Sequence, residues 1–249
     1  MIQLPIHTLF VGQKLTYLSV CQSTNDIANQ LSTQNQAIEG QVVWTSHQTK
    51  GRGQRGNTWE AQADQNLTFS LILMPTFLDA SQQFRLHILT SLAILDSLKN
   101  FANFKIKWPN DIYFQDSKIG GILIENTLQA TKIKNSVIGI GLNINQTEFE
   151  TSTATSLSKI TKKKYELPKL LATILENIEK RYLQLRAGDF ENMKMSYLQE
   201  MYRYQENHLF KSDAEVFWGQ IVGIDQNGKL AIHVDKNIRY FDFKEISFL

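Results

Sequence analysis

Three glycines and two arginines fall within six residues, Gly51-Arg52-Gly53-Gln54-Arg55-Gly56, inside a stretch that runs from Ser46 to Trp59. Glycines at close spacing free a backbone to take positive φ and bring its N–H groups up to an anion. Arginine supplies a planar, permanently charged fork for carboxylate or phosphate. These residue types predict a loop that covers an anionic ligand; a flexible basic turn in solvent is the plainer alternative for a lone Gly/Arg hexamer. Lys118 precedes a glycine pair in the apolar run Lys118-Ile119-Gly120-Gly121-Ile122-Leu123-Ile124-Glu125. Glycine inside a strand otherwise only weakens it, so the choice is between a backbone that a ligand approaches closely and a bulge with an exposed lysine. Asn110-Asp111 is a pair able to hold a metal–phosphate group. An anion-binding loop, an arginine, a lysine beside glycines and such a pair are the parts that adenylation of a carboxylate requires. In that reaction a carboxylate must approach a negatively charged α-phosphate, and Arg, Lys and Mg²⁺ offset the charge.

The elements that must position these residues follow from periodicity and punctuation. Lys14 to Val20 reads as a first strand, and Gln22-Ser23-Thr24-Asn25-Asp26 supplies capping side chains for a short helix through Ala28 and Leu31. Hydroxyls there either cap the helix or hold a polar ligand group at its orphan N–H donors. Gln41 to Thr45 leads into the glycine loop, and Asn66 to Met74 alternates as a strand after it. From Ser81, a pattern with Phe84, Ile88, Leu89, Leu92, Leu95 and Leu98 on one face predicts a core helix, with His87 as a packed or surface residue. Short strands over 104–108 and 112–114 flank Pro109-Asn110-Asp111, and the Gly139 and Gly141 pair sits in an apolar strand beside a pocket. Leu170, Leu171, Ile174, Leu175, Ile178 and Leu185 form an amphipathic helix that Gly188 ends, and a third helix runs from Phe190 to about Tyr204. Beyond about 205–210 the chain changes to short strands with tight turns, including Asn227-Gly228, and Trp218, Ile221, Ile232 and Phe243 are the expected core of a small β domain.

At 249 residues the chain is long enough for one sizeable domain and a smaller one, expected at 1–205 and 206–249. The 42% hydrophobic and 20% charged fractions are those of an ordinary globular protein, and no apolar run approaches the ~20 residues that span a bilayer. The amino terminus lacks a basic segment followed by an apolar one, so the expected location is the cytoplasm, with no membrane partner. One cysteine, Cys21, excludes an intramolecular disulfide and a thiolate metal cluster within the chain. A formal charge of +2 does not argue for nucleic acid, and Lys162-Lys163-Lys164 reads as a solvated turn.

Over nearly its whole length the sequence resembles the biotin protein ligases. The resemblance is carried by Ser23-Thr24-Asn25, by Gln48 with the Gly51 to Gly56 loop and Trp59, and by Lys107-Trp108-Pro109-Asn110-Asp111. Further matches are Lys118 to Glu125, Gly139-Ile140-Gly141-Leu142-Asn143, and Gly223-Ile224-Asp225 with Glu245-Ile246-Ser247. It implies an α/β catalytic domain on a mixed sheet followed by an SH3-like β-barrel. It also implies an enzyme that joins biotin and ATP into biotinyl-5′-AMP, releases pyrophosphate, and passes biotin to a lysine of a biotin carboxyl carrier protein. By position, Ser23, Thr24, Gln48, Gly51, Arg52, Lys118, Gly121 and Gly141 would surround biotin, with Arg52 and Lys118 as catalytic residues facing its carboxylate and the phosphate. Gln54, Arg55, Asn57, Trp59, Asn110, Asp111 and Asn143 would lie on the ATP or adenylate side, with Asp111 toward Mg²⁺. No tightly bound prosthetic group is implied, and monomer and homodimer are both compatible.

Two departures from the family pattern bear on function. The best-known bacterial members often carry arginine at the position of Gln54 and a basic residue at that of Asn57, so the phosphate end here has less positive charge. Some relatives begin with a helix-turn-helix domain, whereas about a dozen residues precede the first strand here; no DNA partner and no repressor role are expected. A lipoate or octanoate ligase shares the fold and the adenylation logic but would want an apolar pocket in place of hydroxyl and amide groups. A biotin sensor without catalysis would lack ATP–pyrophosphate exchange.

Overall fold

The structure, a computed structural model, describes residues 4–213 and 215–249; the side chain of Arg55 lies outside the described part. Seven strands form the larger sheet, in the order β1-β2-β3-β7-β6-β5-β4. They are β1 (Leu15–Cys21), β2 (Val42–Gln48), β3 (Leu67–Leu73), β4 (Lys105–Lys107), β5 (Asp111–Phe114), β6 (Ser117–Gln129) and β7 (Lys132–Leu142). β1 and β2 pair in parallel through the crossover helix α1 (Thr24–Thr33), and the other neighbours are antiparallel.

The two faces of this sheet have different work. Leu67, Phe69, Leu71 and Leu73 of β3 and Ile138, Ile140 and Leu142 of β7 alternate into the large core. On the opposite face Ile72 and Val137 pack with Val43 and with Ala28 of α1, while Ser70 of β3 turns toward Thr24 and Asn25 at the start of that helix. The core face is covered by α2 (Phe84–Leu98), which packs on α4 (Leu167–Arg186) and α5 (Phe190–Gln199). The expected single apolar face of α2 is only part of the result. Leu86, Ala93 and Ile94 are buried as well, because the helix is enclosed between the sheet and α4. His87 is inside this layer, stacked on Phe84 at 5.4 Å, and burial pushes its pKa down to about 4. α4 buries the predicted leucines and isoleucines and ends at Gly188 with φ +86°. The third predicted helix is shorter than expected, since α5 stops at Gln199. A one-turn helix, α3 (Leu157–Thr161), carries no periodic signal and rests on its Ser156 cap, which accepts from Lys159 N at 3.1 Å.

Carboxylates pin the amino-terminal segment. Glu179 of α4 is 6% exposed and accepts the backbone N–H groups of Leu9, Phe10 and Val11 at 2.7, 2.8 and 3.0 Å. After α5 comes an antiparallel sheet in the order β11-β10-β9-β8-β12. Its strands are β8 (Asn207–Ser212), β9 (Val216–Ile224), β10 (Leu230–Val234), β11 (Asn237–Phe241) and β12 (Ile246–Phe248). Phe210, Phe217, Ile221, Leu230 and Ile232 are among its buried residues. Trp218, expected in that core, is 59% exposed, because Phe217 beside it takes the inward position. Phe243 packs instead against Trp108, Phe84 and His87 of the larger unit. The Asn227-Gly228 turn joins this contact. Trp108 Nε1 donates to Gly228 O at 2.9 Å, and Gly228, at φ +89°, lets the turn lie directly on the Phe84 ring.

Candidate active site

One cavity of about 1230 Å³ opens on the α1 face of the larger sheet. Ser23, Thr24, Gln48, Gly51, Arg52, Lys118, Gly121 and Gly141 all line it, as do Gln54, Asn57, Trp59, Asn110, Asp111 and Asn143. Of the residues singled out in the sequence, only Arg55 falls outside the described part.

At one end the walls are hydroxyls and amides. Gln48 Oε1, at the end of β2, accepts from Thr24 N at 2.7 Å and from Thr24 Oγ1 at 3.1 Å, so it satisfies an orphan donor at the α1 N-terminus. Ser70 Oγ lies 2.7 Å from Thr24 Oγ1 and 2.6 Å from Asn25 Oδ1. The Asn25 amide nitrogen donates in turn to Glu125 Oε2 at 2.7 Å. Ser70, Asn25 and Glu125 thus lock the groups that sequence reasoning had picked. The signal for Ser70 was a lone hydroxyl in an otherwise apolar strand, one that gains meaning only when its face is known. Gly139 is required here because a β-carbon on it would stand inside the Asn25 side chain.

Charge gathers beside this cluster. Arg52 Nη2 contacts Asp26 Oδ1 at 2.7 Å and Glu125 Oε2 at 3.1 Å; Lys118 Nζ contacts Asp111 Oδ1 at 2.6 Å. Both cations therefore already have carboxylate partners in the protein. Gly121 faces the lysine pair: a β-carbon there would lie 3.3 Å from both Lys118 Nζ and Asp111 Oδ1, so glycine keeps the approach to Lys118 open. The glycine loop folds back as a small hairpin, with Trp59 N donating to Gly51 O at 3.0 Å and Gly53 N to Asn57 O at 2.7 Å. Trp59 then covers Gly141, whose missing side chain makes room for the indole. Trp59 and Gly141 are in contact, so no wall separates the biotin and nucleotide groups that the resemblance assigned to them.

The nucleotide candidates are braced from behind. Asn110 Nδ2 donates to Ile122 O at 2.8 Å and holds the turn before β5 against β6. Asn143 is 4% exposed; its amide nitrogen donates to Thr155 O at 3.0 Å, while its Oδ1 is buried without a protein partner and remains an acceptor. The segment around Thr153 to Thr155 pairs with Lys118 through Lys118 N to Thr153 O at 2.8 Å and Thr155 N to Lys118 O at 2.9 Å. The far wall comes from the second sheet, through Phe243, Lys244, Ile246, Ser247 and Phe248. No group of three or more His, Cys, Asp or Glu suited to a metal occurs among the described residues. Asp111 offers a single carboxylate, which fits a Mg²⁺ that arrives with a triphosphate and keeps its other ligands from phosphate and water.

This arrangement has known counterparts. The profile of the biotin/lipoate A/B protein ligase family matches residues 17–143. The bifunctional ligase/repressor BirA of Bacillus spizizenii is 30% identical over 245 residues, which cover 96% of this chain and 75% of the relative. The chain belongs to the biotin/lipoate A/B protein ligase family. Within it, the chain falls with the biotin protein ligases and is an enzyme of that kind. The human biotin–protein ligase is 27% identical over 245 residues, 92% of this chain and 33% of that longer protein. Among solved structures, the Aquifex aeolicus biotin protein ligase in complex with biotin and ATP shares the fold at a TM-score of 0.78 and 28% identity, covering 94% of this chain and 98% of that one. A family fold accounts for a mixed sheet with helices on its core face and a smaller antiparallel sheet behind the cavity.

Proposed function

We propose that this chain activates biotin with ATP as biotinyl-5′-AMP, releases pyrophosphate, and transfers biotin to a lysine of a biotin carboxyl carrier domain. The observation that carries this reading is one cavity with two chemistries. Thr24, Gln48 and Asn25, braced from behind by Ser70, form a neutral hydrogen-bonding end, and Arg52 and Lys118 form a cationic end beside it. A ureido ring wants hydroxyl and amide partners, its carboxylate wants cations, and an octanoyl chain would want neither at the first end. Ser23, Gly51, Gly121 and Gly141 complete the biotin side. Gln54, Asn57, Trp59, Asn110, Asp111 and Asn143 serve the nucleotide, with Mg²⁺ carried by the triphosphate. Residues 1–205 act as the catalytic domain and 206–249 as a second domain that walls the cavity. A cytoplasmic location is in keeping with this reading, and no helix among the described residues is long and apolar enough to cross a membrane. The test is incubation of the purified protein with biotin, ATP, Mg²⁺ and a carrier domain, with mass spectrometry of the acceptor lysine. A biotinyl mass gain supports the reading, and a gain only with octanoate in a parallel reaction would replace it.

A further inference from the structure

Lys107 ends β4 and lines the same cavity, yet its surroundings differ from those of Arg52 and Lys118. Its ammonium lies 4.5 Å from the Tyr113 ring centroid, 5.2 Å from that of Phe248 and 5.9 Å from that of Tyr202, and it donates to Tyr113 Oη at 3.2 Å. The three rings come from β5, from the connection after α5, and from β12 of the second sheet. Among the described residues no carboxylate lies within 4.0 Å of it. Across the β4–β5 hairpin Lys107 is in register with Asp111, but that carboxylate is in contact with Lys118. Two lysines therefore flank one aspartate, and one positive charge is left over.

A cation withdrawn from water and held mainly by ring quadrupoles is poorly compensated. Burial pushes the Lys107 pKa down, which is the mark of that deficit. An anionic ligand would remove it. Position along the sheet says which part of the ligand. β4 is the outermost strand, so Lys107 stands on the sheet-edge side of Asp111 while Lys118 meets that carboxylate from the β6 side, and a ligand group held by Lys107 lies beyond the one held by Lys118.

We propose that Lys107 binds the β- and γ-phosphates of ATP and stabilises pyrophosphate as it departs. The inference rests on the adenylation reading above. In that step a biotin carboxylate oxygen bonds to the α-phosphorus, the bond from α-phosphorus to the bridging oxygen breaks, and the electron pair leaves on pyrophosphate. Lys118 is placed for the α-phosphate and carboxylate, and Lys107 for the charge that grows on the leaving group. The surplus lysine also compensates in part for the neutral Gln54 and Asn57 in the glycine loop.

The experiment uses the full chain with Lys107→Met, which keeps an apolar stem on the rings, and Lys107→Arg, which keeps the charge. Biotin-dependent ATP–pyrophosphate exchange is measured beside single-turnover transfer from preformed biotinyl-5′-AMP to a carrier domain, with a thermal melt on each protein. Lys107→Met is expected to slow exchange by ~10²-fold and to raise the KM for pyrophosphate, Lys107→Arg to recover part of the loss, and transfer to stay unchanged. A folded Lys107→Met protein with normal exchange overturns the inference, as does one in which transfer falls as much as exchange. Wild-type protein without any exchange would bring down the ligase reading instead, and that outcome is read before either variant.

Discussion

The side chain of Asn25 occupies the space where a β-carbon on Gly139 would be. Asn25 links Ser70 to Glu125, and through Ser70 it reaches Thr24 and Gln48, so one missing methyl group keeps the neutral end of the cavity in register. Gly139→Ala must displace Asn25 and break its hydrogen bonds with Ser70 and Glu125. Biotin affinity is expected to fall by ~30–150-fold, at about 1–1.5 kcal/mol for each of two bonds, as titration calorimetry would register. An unchanged affinity in a folded variant would show that the network does not hold the ligand.

Lys118→Ala is expected to slow adenylate formation by ~10²–10³-fold, the loss that follows removal of one preorganised donor to developing charge. Its Asp111 partner and the open approach past Gly121 are what preorganise it. Single-turnover synthesis of the adenylate by rapid quench gives the rate directly, and a normal rate removes Lys118 from the chemistry.

Acid should destabilise the junction around His87. Its folded pKa is lowered to about 4 from an ordinary 6.5, so the imidazole is neutral in the fold. Below pH 6.5 the unfolded chain binds a proton there and the folded one does not. The contribution is therefore fully present above 6.5 and is lost as pH falls toward 4, to a total of about 3 kcal/mol. Urea unfolding of wild type and His87→Phe across that window should show a shallower acid decline in the variant.

Glu179→Ala leaves three backbone donors of Leu9 to Val11 without their acceptor. A loss of about 2–3 kcal/mol is expected, since Val11 N is buried while Leu9 can turn to water. Glu179→Gln should fall between the two, and equal stability of all three proteins would show that this carboxylate does not hold the segment.

How much of this was legible depended on whether a residue's meaning is local. The glycine loop, the Lys118 run and the Ser23-Thr24 junction announce themselves because glycine conformation and helix capping are properties of a few adjacent residues. The sidedness of strands is not local. In Val216 to Ile221 both alternations contain large apolar residues, so Phe217 and Trp218 compete for the inside, and only pairing with β8 and β10 decides for Phe217. Ser70 is not singled out in the sequence, and Glu125 and Asp26 carry no site role there, for the same reason: each touches its partner across 45 or more residues, or through the loop. The enclosure of α2 by α4 and the contribution of Phe243 and Phe248 to the cavity likewise depend on elements far away in the chain. Trp108 meeting Gly228 is the extreme case, at a separation of 120 residues.

Arg52 and Lys118 pair with Asp26, Glu125 and Asp111 at the cavity, and this pairing sets how the protein should respond to ionic strength. A carboxylate that replaces these partners exchanges one ion pair for another, and dissolved salt, with a screening length of about 10 Å at 0.1 M, weakens both sides of the exchange. Biotin affinity should therefore vary little between 0.05 and 0.5 M KCl, on the order of a few-fold. A triphosphate brings more charge than the exchange can cancel, and its excess meets a lysine that has given up no counterion. Nucleotide affinity should accordingly fall steeply over the same range, so that the two substrates of one cavity separate in a simple salt titration.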